Sequence, residues 1–317
     1  MTQQLQQISI AEAFALEGVP ATVTTLGFEA GDNPLVPRRD ENYVFDRDRL
    51  RAVLAYTGNP LGDAMWLGGP YGSGKTSLIT QTLARLNWPT ITFSWHARRE
   101  FADLVGHMGI RDGQTVFQHG PLALAMIHGY ALVINEIDRG HPGELIGLND
   151  VLEGQPLVIP ETGEVIRPAE TFRLFVTANS MGSGDDTGLF AGSVNQLDPA
   201  FLDRFRALHV DYPPVQVEDD IIARLVPNLS ADIRVKMIET AGELRRLFVG
   251  HDQDGGGELT VTMSTRTLLR WANLTVQFRS APNAVAYALN LAFTNRCRPS
   301  EAQAIRSIAE AKFGGTW

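Results

Sequence analysis

Residues 69–76, GPYGSGKT, constrain the possible folds of this chain more than any other segment, because they sit between an apolar run, AMWLGG, and a helically patterned one, KTSLITQTLARL. Strand, glycine-rich turn and helix in that order form a phosphate-binding loop, and a chance glycine-rich turn containing Lys-Thr would lack the flanking elements. Gly72 and Gly74 let the main chain curl so that successive N–H groups face phosphate oxygens, and the helix that starts near Lys75 adds its positive end. Lys75 is expected to bridge the β- and γ-phosphates of a nucleoside triphosphate, and the Thr76 hydroxyl to ligate Mg²⁺. The expected nucleotide contacts are Gly69, Pro70, Tyr71, Gly72, Ser73, Gly74, Lys75, Thr76 and Ser77.

The rest of the chain fits an α/β fold around that loop. TITFSW (90–95), ALVINEID (131–138) and FRLFVTAN (172–179) read as buried strands alternating with helical segments, which predicts a parallel sheet sandwiched by helices. MGIRDGQTVFQHG (108–120) and PLVIPETGEVIRP (156–168) each place a short turn between β-prone residues and read as inserted β-hairpins. Pro213-Pro214 breaks the chain, and the pattern beyond is helical apart from a loop at 250–258. Three parts are expected: an N-terminal arm with a short helical pattern over residues 1–45, a nucleotide-binding αβ domain over 46–212 and a helical lid domain over 213–317. At 317 residues the chain exceeds what one core usually supports.

A net charge of −9 argues against a broad nucleic-acid-binding surface. Cys297 is the only cysteine, so no intrachain disulfide can form, as suits a reducing cytoplasm. The N-terminus has no basic segment followed by an apolar run, and no stretch of about 18 apolar residues occurs, so neither secretion nor membrane spanning is expected.

Hydrolysis of a bound triphosphate requires an acid at the end of a neighbouring buried strand, and ALVINEID supplies Asn135 and Glu136. Glu136 is placed to orient or deprotonate the attacking water. Asn135 stands where an aspartate is expected as a metal-side ligand; its amide oxygen can accept a hydrogen bond from metal-bound water but brings no charge. Asn179, ending another apolar strand, could hold the same water from the side or simply cap a turn. LDPAFLDRF places Arg204 and Arg206 on a predicted short helix, where an arginine could reach a neighbour's γ-phosphate or merely be solvated. In TMSTRTLLRWANL, Ser264 or Thr265 could cap a helix whose first turn brings Arg266 toward the nucleotide. HDQDGGGE (251–258) lacks a full set of calcium ligands and reads as an acidic turn, and the histidines show no paired metal-ligand spacing.

GPYGSGKT, INEID, FVTAN, LDRF and STR occur in the order and rough spacing of the MoxR group of AAA+ ATPases, which the chain resembles over about residues 43–300. ALVINEIDRGHPGELIGLNDVLEG, NQLDPAFLDRF and GDDTGLFAG make the resemblance closer still to the small, ATPase subunits of aerobic cobaltochelatases. The resemblance implies a homo-oligomeric ring, most often hexameric, with ATP and Mg²⁺ bound between the αβ domain and the lid. It implies Arg204, rather than Arg206, as the finger reaching the next subunit; with the residues read above, the expected catalytic set is Glu136, Asn179, Arg204 and Arg266, with Thr76 and Asn135 on the metal. The hairpins would face the pore or a partner, the partner being a von Willebrand A domain protein and, in a chelatase, also a large metal-inserting subunit. Asn135 in place of Asp, Thr265 in place of a common Pro and the divergent arm set this chain apart. Three readings follow: an ATP-driven ring motor of the cobaltochelatase kind, a similar motor for a von Willebrand A partner unrelated to cobalamin, and a weakly hydrolysing ATP-gated assembly scaffold.

Overall fold

The computed structural model describes residues 4–184, 194–249 and 259–314. Strands β1 (Leu5–Ser9) and β2 (Thr24–Phe28) form an antiparallel pair ahead of helix α1 (Arg47–Gly58). The αβ part then runs β3 (Ala64–Gly68), α2 (Lys75–Arg85), β4 (Thr90–Ser94), β5 (Gly106–Arg111), β6 (Gln114–His119), α3 (Pro121–His128), β7 (Ala131–Asn135), β8 (Leu157–Ile159), β9 (Glu164–Ile166), β10 (Arg173–Ala178) and β11 (Phe205–His209). Helices α4 (Val215–Leu225), α5 (Ala231–Val249), α6 (Thr265–Gln277), α7 (Ala284–Ala292) and α8 (Pro299–Phe313) complete the chain.

Five strands make one parallel sheet in the order β11-β3-β10-β7-β4, while β5–β6 and β8–β9 are separate antiparallel hairpins, as the sequence predicts. Every residue of β3 and β10 is buried, because helices cover both faces of a parallel sheet. Side chains alternate between those faces: Trp66, Leu132, Ile134 and Val176 pack on one side with α3, and Met65, Leu67, Val133 and Phe175 on the other with α1 and α2. The helices beyond Tyr212 bury a core of their own around Met237, Leu244, Leu268, Trp271 and Leu289. Among the described residues no helix is long and apolar enough to cross a membrane.

The short helical pattern of the arm corresponds to Ile10–Ala13, and the flanking segments pair as β1 and β2. Two expectations are corrected. TITFSW, expected as a buried strand, forms β4 at the sheet edge with Thr92 and Ser94 exposed. The helix expected to carry Arg204 and Arg206 spans only Pro199–Leu202, and Arg206 lies inside β11. Phe205–His209 is an edge strand in which only Phe205 is buried, and it follows the helical pattern of LDPAFLDRF without a turn signal to separate it. The acidic turn at 251–258 and most of GDDTGLFAG lie outside the described residues.

Candidate nucleotide-binding site

The sheet register brings the expected residues to one edge. Gly68 is level with Ala178 in β10 and with His209 in β11, and Ser94 in β4 with Asn135 in β7, so the phosphate loop, Asn135-Glu136 and Asn179 leave the sheet together at the carboxyl ends of its strands. This is where open parallel sheets bind ligands. Gly74, at φ 95° with open space around its Cα, is left-handed immediately before α2, a conformation that lets the loop turn into the helix. At Gly72 a Cβ would lie 2.3 Å from the Ser264 Cβ, so the loop and the start of α6 touch at a point only glycine fits.

Lys75 is buried at the first turn of α2, and its Nζ donates to the carbonyls of Gly69 (2.7 Å) and Pro70 (2.8 Å). Burial pushes its pKa down to about 8, against the nearby carboxylates of Asp138 and Glu136. The Ser73 hydroxyl is buried in the same loop without a hydrogen-bond partner among the described residues.

The neighbouring strand ends form a polar cluster. Thr76 Oγ1 donates to Asn135 Oδ1 at 2.7 Å, and Thr177 Oγ1 donates to the same oxygen at 3.2 Å. The Glu136 N–H in turn donates to Thr177 Oγ1 at 3.4 Å. Glu136 has φ 56°, a left-handed conformation that costs a non-glycine residue about 1–2 kcal/mol and turns its side chain out of the strand. Its carboxylate forms an ion pair with Arg139 at 2.9 Å, with both side chains 40–48% exposed. Such a pair is worth at most about 1 kcal/mol, so Glu136 is readily released to a ligand. The hydroxyl and amide oxygens of Thr76 and Asn135, with the Glu136 carboxylate alongside, are a hard-oxygen set of the kind Mg²⁺ takes.

Asp138, which no sequence pattern singled out, is fully buried just beyond Glu136 in the 3₁₀ turn Ile137–Arg139. Its Oδ2 accepts the N–H groups of Asn179 (2.7 Å) and Ser180 (3.2 Å). Burial pushes its carboxyl pKa up, opposed by those N–H bonds, by its own N–H and by Lys75.

Arg266 is in the first turn of α6, where Ser264, rather than Thr265, is the cap and accepts the Thr267 N–H at 3.2 Å. It lines a cleft of about 300 Å³ together with Gly72, Gly74 and Ser77. The other walls are the segment Asp40–Asp46, which has no motif to mark it, and apolar side chains of α4 such as Val217 and Ile221. Asp46 caps α1 and so fixes the exit of that segment; this cap was the available sequence signal for the wall.

The loop is also tied to the lid directly. Tyr71 Oη donates to the Thr262 carbonyl at 3.1 Å, and Tyr212 Oη donates to the Tyr71 carbonyl at 3.1 Å. The Arg245 guanidinium lies 4.2 Å from the Tyr212 ring and forms a buried two-pronged pair with Glu218 at 2.7 and 2.8 Å. Glu218 accepts a third bond from the Thr265 hydroxyl at 2.8 Å, which a proline at that position could not make.

Arg204 lies away from this cleft. It is paired with Glu153, at 3.0 Å through Nε, and also donates to the Ala200 carbonyl. Arg206 is held by Asp63 at 3.1 Å and by the Pro60 carbonyl, a structural contact at the flank of β3. The inserted hairpins expose Met108 and Ile110 on one and Val158 and Val165 on the other, and His119 of β6 meets Glu164 of β9 at 2.7 Å.

A phosphate loop at the edge of a parallel sheet, polar groups at the adjoining strand ends and a helical lid over the cleft define a P-loop nucleotide-binding protein. Comparison with known proteins narrows this. Residues 64–205 match the AAA domain, dynein-related subfamily, and residues 218–312 match the CbbQ/NirQ/NorQ C-terminal family. The aerobic cobaltochelatase subunit CobS of a Sinorhizobium species is 34% identical, over 97% of this chain and 90% of its own. NorQ of Paracoccus denitrificans is 29% identical over 93% and 99%, and CbbQ of Hydrogenophilus thermoluteolus 26% identical over 89% and 98%. A mutant RuvB from Thermotoga maritima shares the fold with a TM-score of 0.52 at 16% identity, over 88% of this chain and 82% of its own. The chain belongs to the AAA+ ATPases, in the MoxR-type group that includes CobS, NorQ and CbbQ.

Proposed function

We propose that this protein is a Mg²⁺-dependent, ATP-hydrolysing ring motor that remodels or activates a partner protein, with residues 46–212 as the nucleotide-binding domain and 213–317 as its lid. The observation that carries the reading is the cluster in which Thr76 and Thr177 both donate to Asn135 while Glu136 turns out beside them. Because the Thr76 proton is directed at Asn135, the lone pairs of its oxygen remain available to a cation. Thr76 and Asn135 would hold Mg²⁺, which would supply charge neutralisation to the bound polyphosphate. Lys75 exchanges its bonds to the Gly69 and Pro70 carbonyls for phosphate oxygens. Glu136 orients the attacking water and takes its proton, Asn179 holds that water from the side, and Arg266 approaches the phosphates from the lid. Arg204 serves the neighbouring subunit's site, which requires a closed ring, taken to be hexameric.

Glu136→Gln should abolish phosphate release while ADP and ATP still bind; unaltered hydrolysis in this variant would overturn the assignment. A second reading rests on Asn135: without a charged ligand, the ring could act as an ATP-gated scaffold that scarcely turns over. Phosphate release by the native chain beside Asn135→Asp separates the two, because a gain of more than about 10-fold on adding the carboxylate, over a near-zero rate, would favour the scaffold. For the partner, the apolar hairpin surfaces and the likeness to a cobaltochelatase subunit support a von Willebrand A domain protein, with a large chelatase subunit as the further candidate. A client unrelated to cobalamin fits the same surfaces. Capture of cytoplasmic proteins on the ATP-loaded Glu136→Gln ring, with a hairpin variant as control, identifies it.

A further inference from the structure

The reaction proposed above needs Asn179 at a fixed height beside Glu136, and what fixes it is not the sheet. Strand β10 ends at Ala178, so the N–H groups of Asn179 and Ser180 have left its ladder and require other acceptors. Both go to one oxygen, Asp138 Oδ2, at 2.7 and 3.2 Å across 41 and 42 residues of chain. The main-chain carbonyl of Asp138 accepts the Asn195 N–H at 2.7 Å, and the Asn195 side chain donates to the Gly140 carbonyl at 2.9 Å. One residue thus joins the turn that follows Glu136, the end of the strand that carries Asn179, and the stretch that leads into the Pro199–Leu202 helix before Arg204.

A fully buried carboxylate is costly unless hydrogen bonds or charges compensate it. Here the compensation comes first from the 179–180 main chain, and less from the residue's own N–H and from Lys75. Asp138 Oδ1 makes no hydrogen bond among the described residues. The two bonds that hold Asn179 and Ser180 are therefore the main work of this side chain. Asp138 is not assigned to the metal, because its side chain is fully enclosed, whereas Thr76 and Asn135 are at the open strand ends.

We propose that Asp138 is a positioning residue for ATP hydrolysis, fixing Asn179 relative to Glu136 through the two N–H bonds accepted by Oδ2. The proposal rests on the ATPase reading, so one arm of its test is independent of hydrolysis. Asp138→Ala should lower kcat on the order of 10²-fold, the usual cost of a roughly 1 Å misplacement in an active site, while KM for ATP and the affinity for Mg-ADP stay within about threefold. Amide hydrogen exchange at Asn179 and Ser180 should accelerate at least about 10-fold, with Phe175 and Val176 unchanged. Asp138→Asn, which retains an acceptor oxygen, should recover most of kcat and show an intermediate exchange rate. Asn179→Ala added to Asp138→Ala should cost little more, because both act through the same group.

Native-like kcat in Asp138→Ala, or kcat and nucleotide affinity falling together with exchange at 179–180 unaltered, would overturn the proposal. If the native chain proves not to hydrolyse ATP, the ATPase reading fails, yet exchange at 179–180 still decides whether Asp138 holds Asn179. Should Asp138→Ala not fold, Asp138→Asn carries the test through exchange: rates at Asn179 and Ser180 unchanged from the native chain refute it, and faster rates there, with Phe175, Val176 and nucleotide affinity unchanged, support it.

Discussion

Glu218→Ala tests whether the lid is organised around its buried ion pair. Glu218 is 1% exposed and accepts three bonds, two from Arg245 and one from the Thr265 hydroxyl. Removing it strands a buried guanidinium that keeps only the Met263 carbonyl, at 2.8 Å from Nε, and the face of the Tyr212 ring. Breaking a buried pair from one side typically costs about 3–5 kcal/mol, and the two remaining contacts place this case near about 3. At roughly 4–8 °C per kcal/mol for a unit of about 100 residues, the melting midpoint of the lid should fall by about 12–24 °C. Arg245→Met should cost a similar amount by stranding Glu218. The double variant Glu218→Leu with Arg245→Met removes both charges together and should lose less than either single change, giving a coupling of about 3 kcal/mol or more. Circular dichroism melts provide the measurement, together with urea unfolding followed by tryptophan emission, to which Trp271 in the lid core contributes. Single variants within about 1 kcal/mol of the native chain, or a double variant that loses the sum of the two, would refute the reasoning.

Three further outcomes are expected. Burial holds Lys75 at about 8, so nucleotide binding must take up a proton above that pH; ADP affinity should be flat below it and weaken by up to about 10-fold per unit above it, and an affinity constant through pH 9 in titration calorimetry would contradict this. Gly72→Ala forces a methyl to 2.3 Å from the Ser264 Cβ and places a non-glycine residue at φ 72°, so ADP affinity measured by fluorescence should fall at least about 10-fold as loop and lid separate. Arg204→Ala should cut phosphate release on the order of 10²–10³-fold with ADP affinity intact. Mixing it with Glu136→Gln subunits should restore part of the rate, because an Arg204→Ala site whose neighbour is a Glu136→Gln subunit then meets an intact arginine; no recovery would place Arg204 in its own subunit's site.

The parts legible in the sequence are those whose signal is local. Continuous apolar runs with flanking turns mark β3, β7 and β10, since a strand buried on both faces needs no alternation to be recognised, whereas β4, at the sheet edge, is marked by its β-branched and aromatic residues. The hairpin turn at Arg111–Gly113 is readable because Asp112 and Gly113, at φ 51° and 76°, are residue types that tolerate a left-handed backbone. The phosphate-loop pattern lies within eight consecutive residues, and the structure places Thr76 against Asn135 and Arg266 at the wall of the cleft. What escaped depends on distant neighbours. Asp138 looks like one more acid in INEID until Asn179 and Ser180 are seen to donate to it. Tyr71 reads in the sequence only as one more nucleotide contact of the loop, and its bond to Thr262 spans 191 residues. β11 and the β1–β2 pair expose too much polar surface for their pattern to declare itself, and the Asp40–Asp46 wall has no regular structure at all.

The contact between His119 and Glu164 joins the base of the longer hairpin to the turn-proximal end of the shorter one. The two inserts therefore meet at one half-exposed contact: while it holds, a displacement at the base of the longer hairpin reaches the strand that bears Val165. A client gripping one would load both, and the shared strut sets how far either can yield before the other must follow.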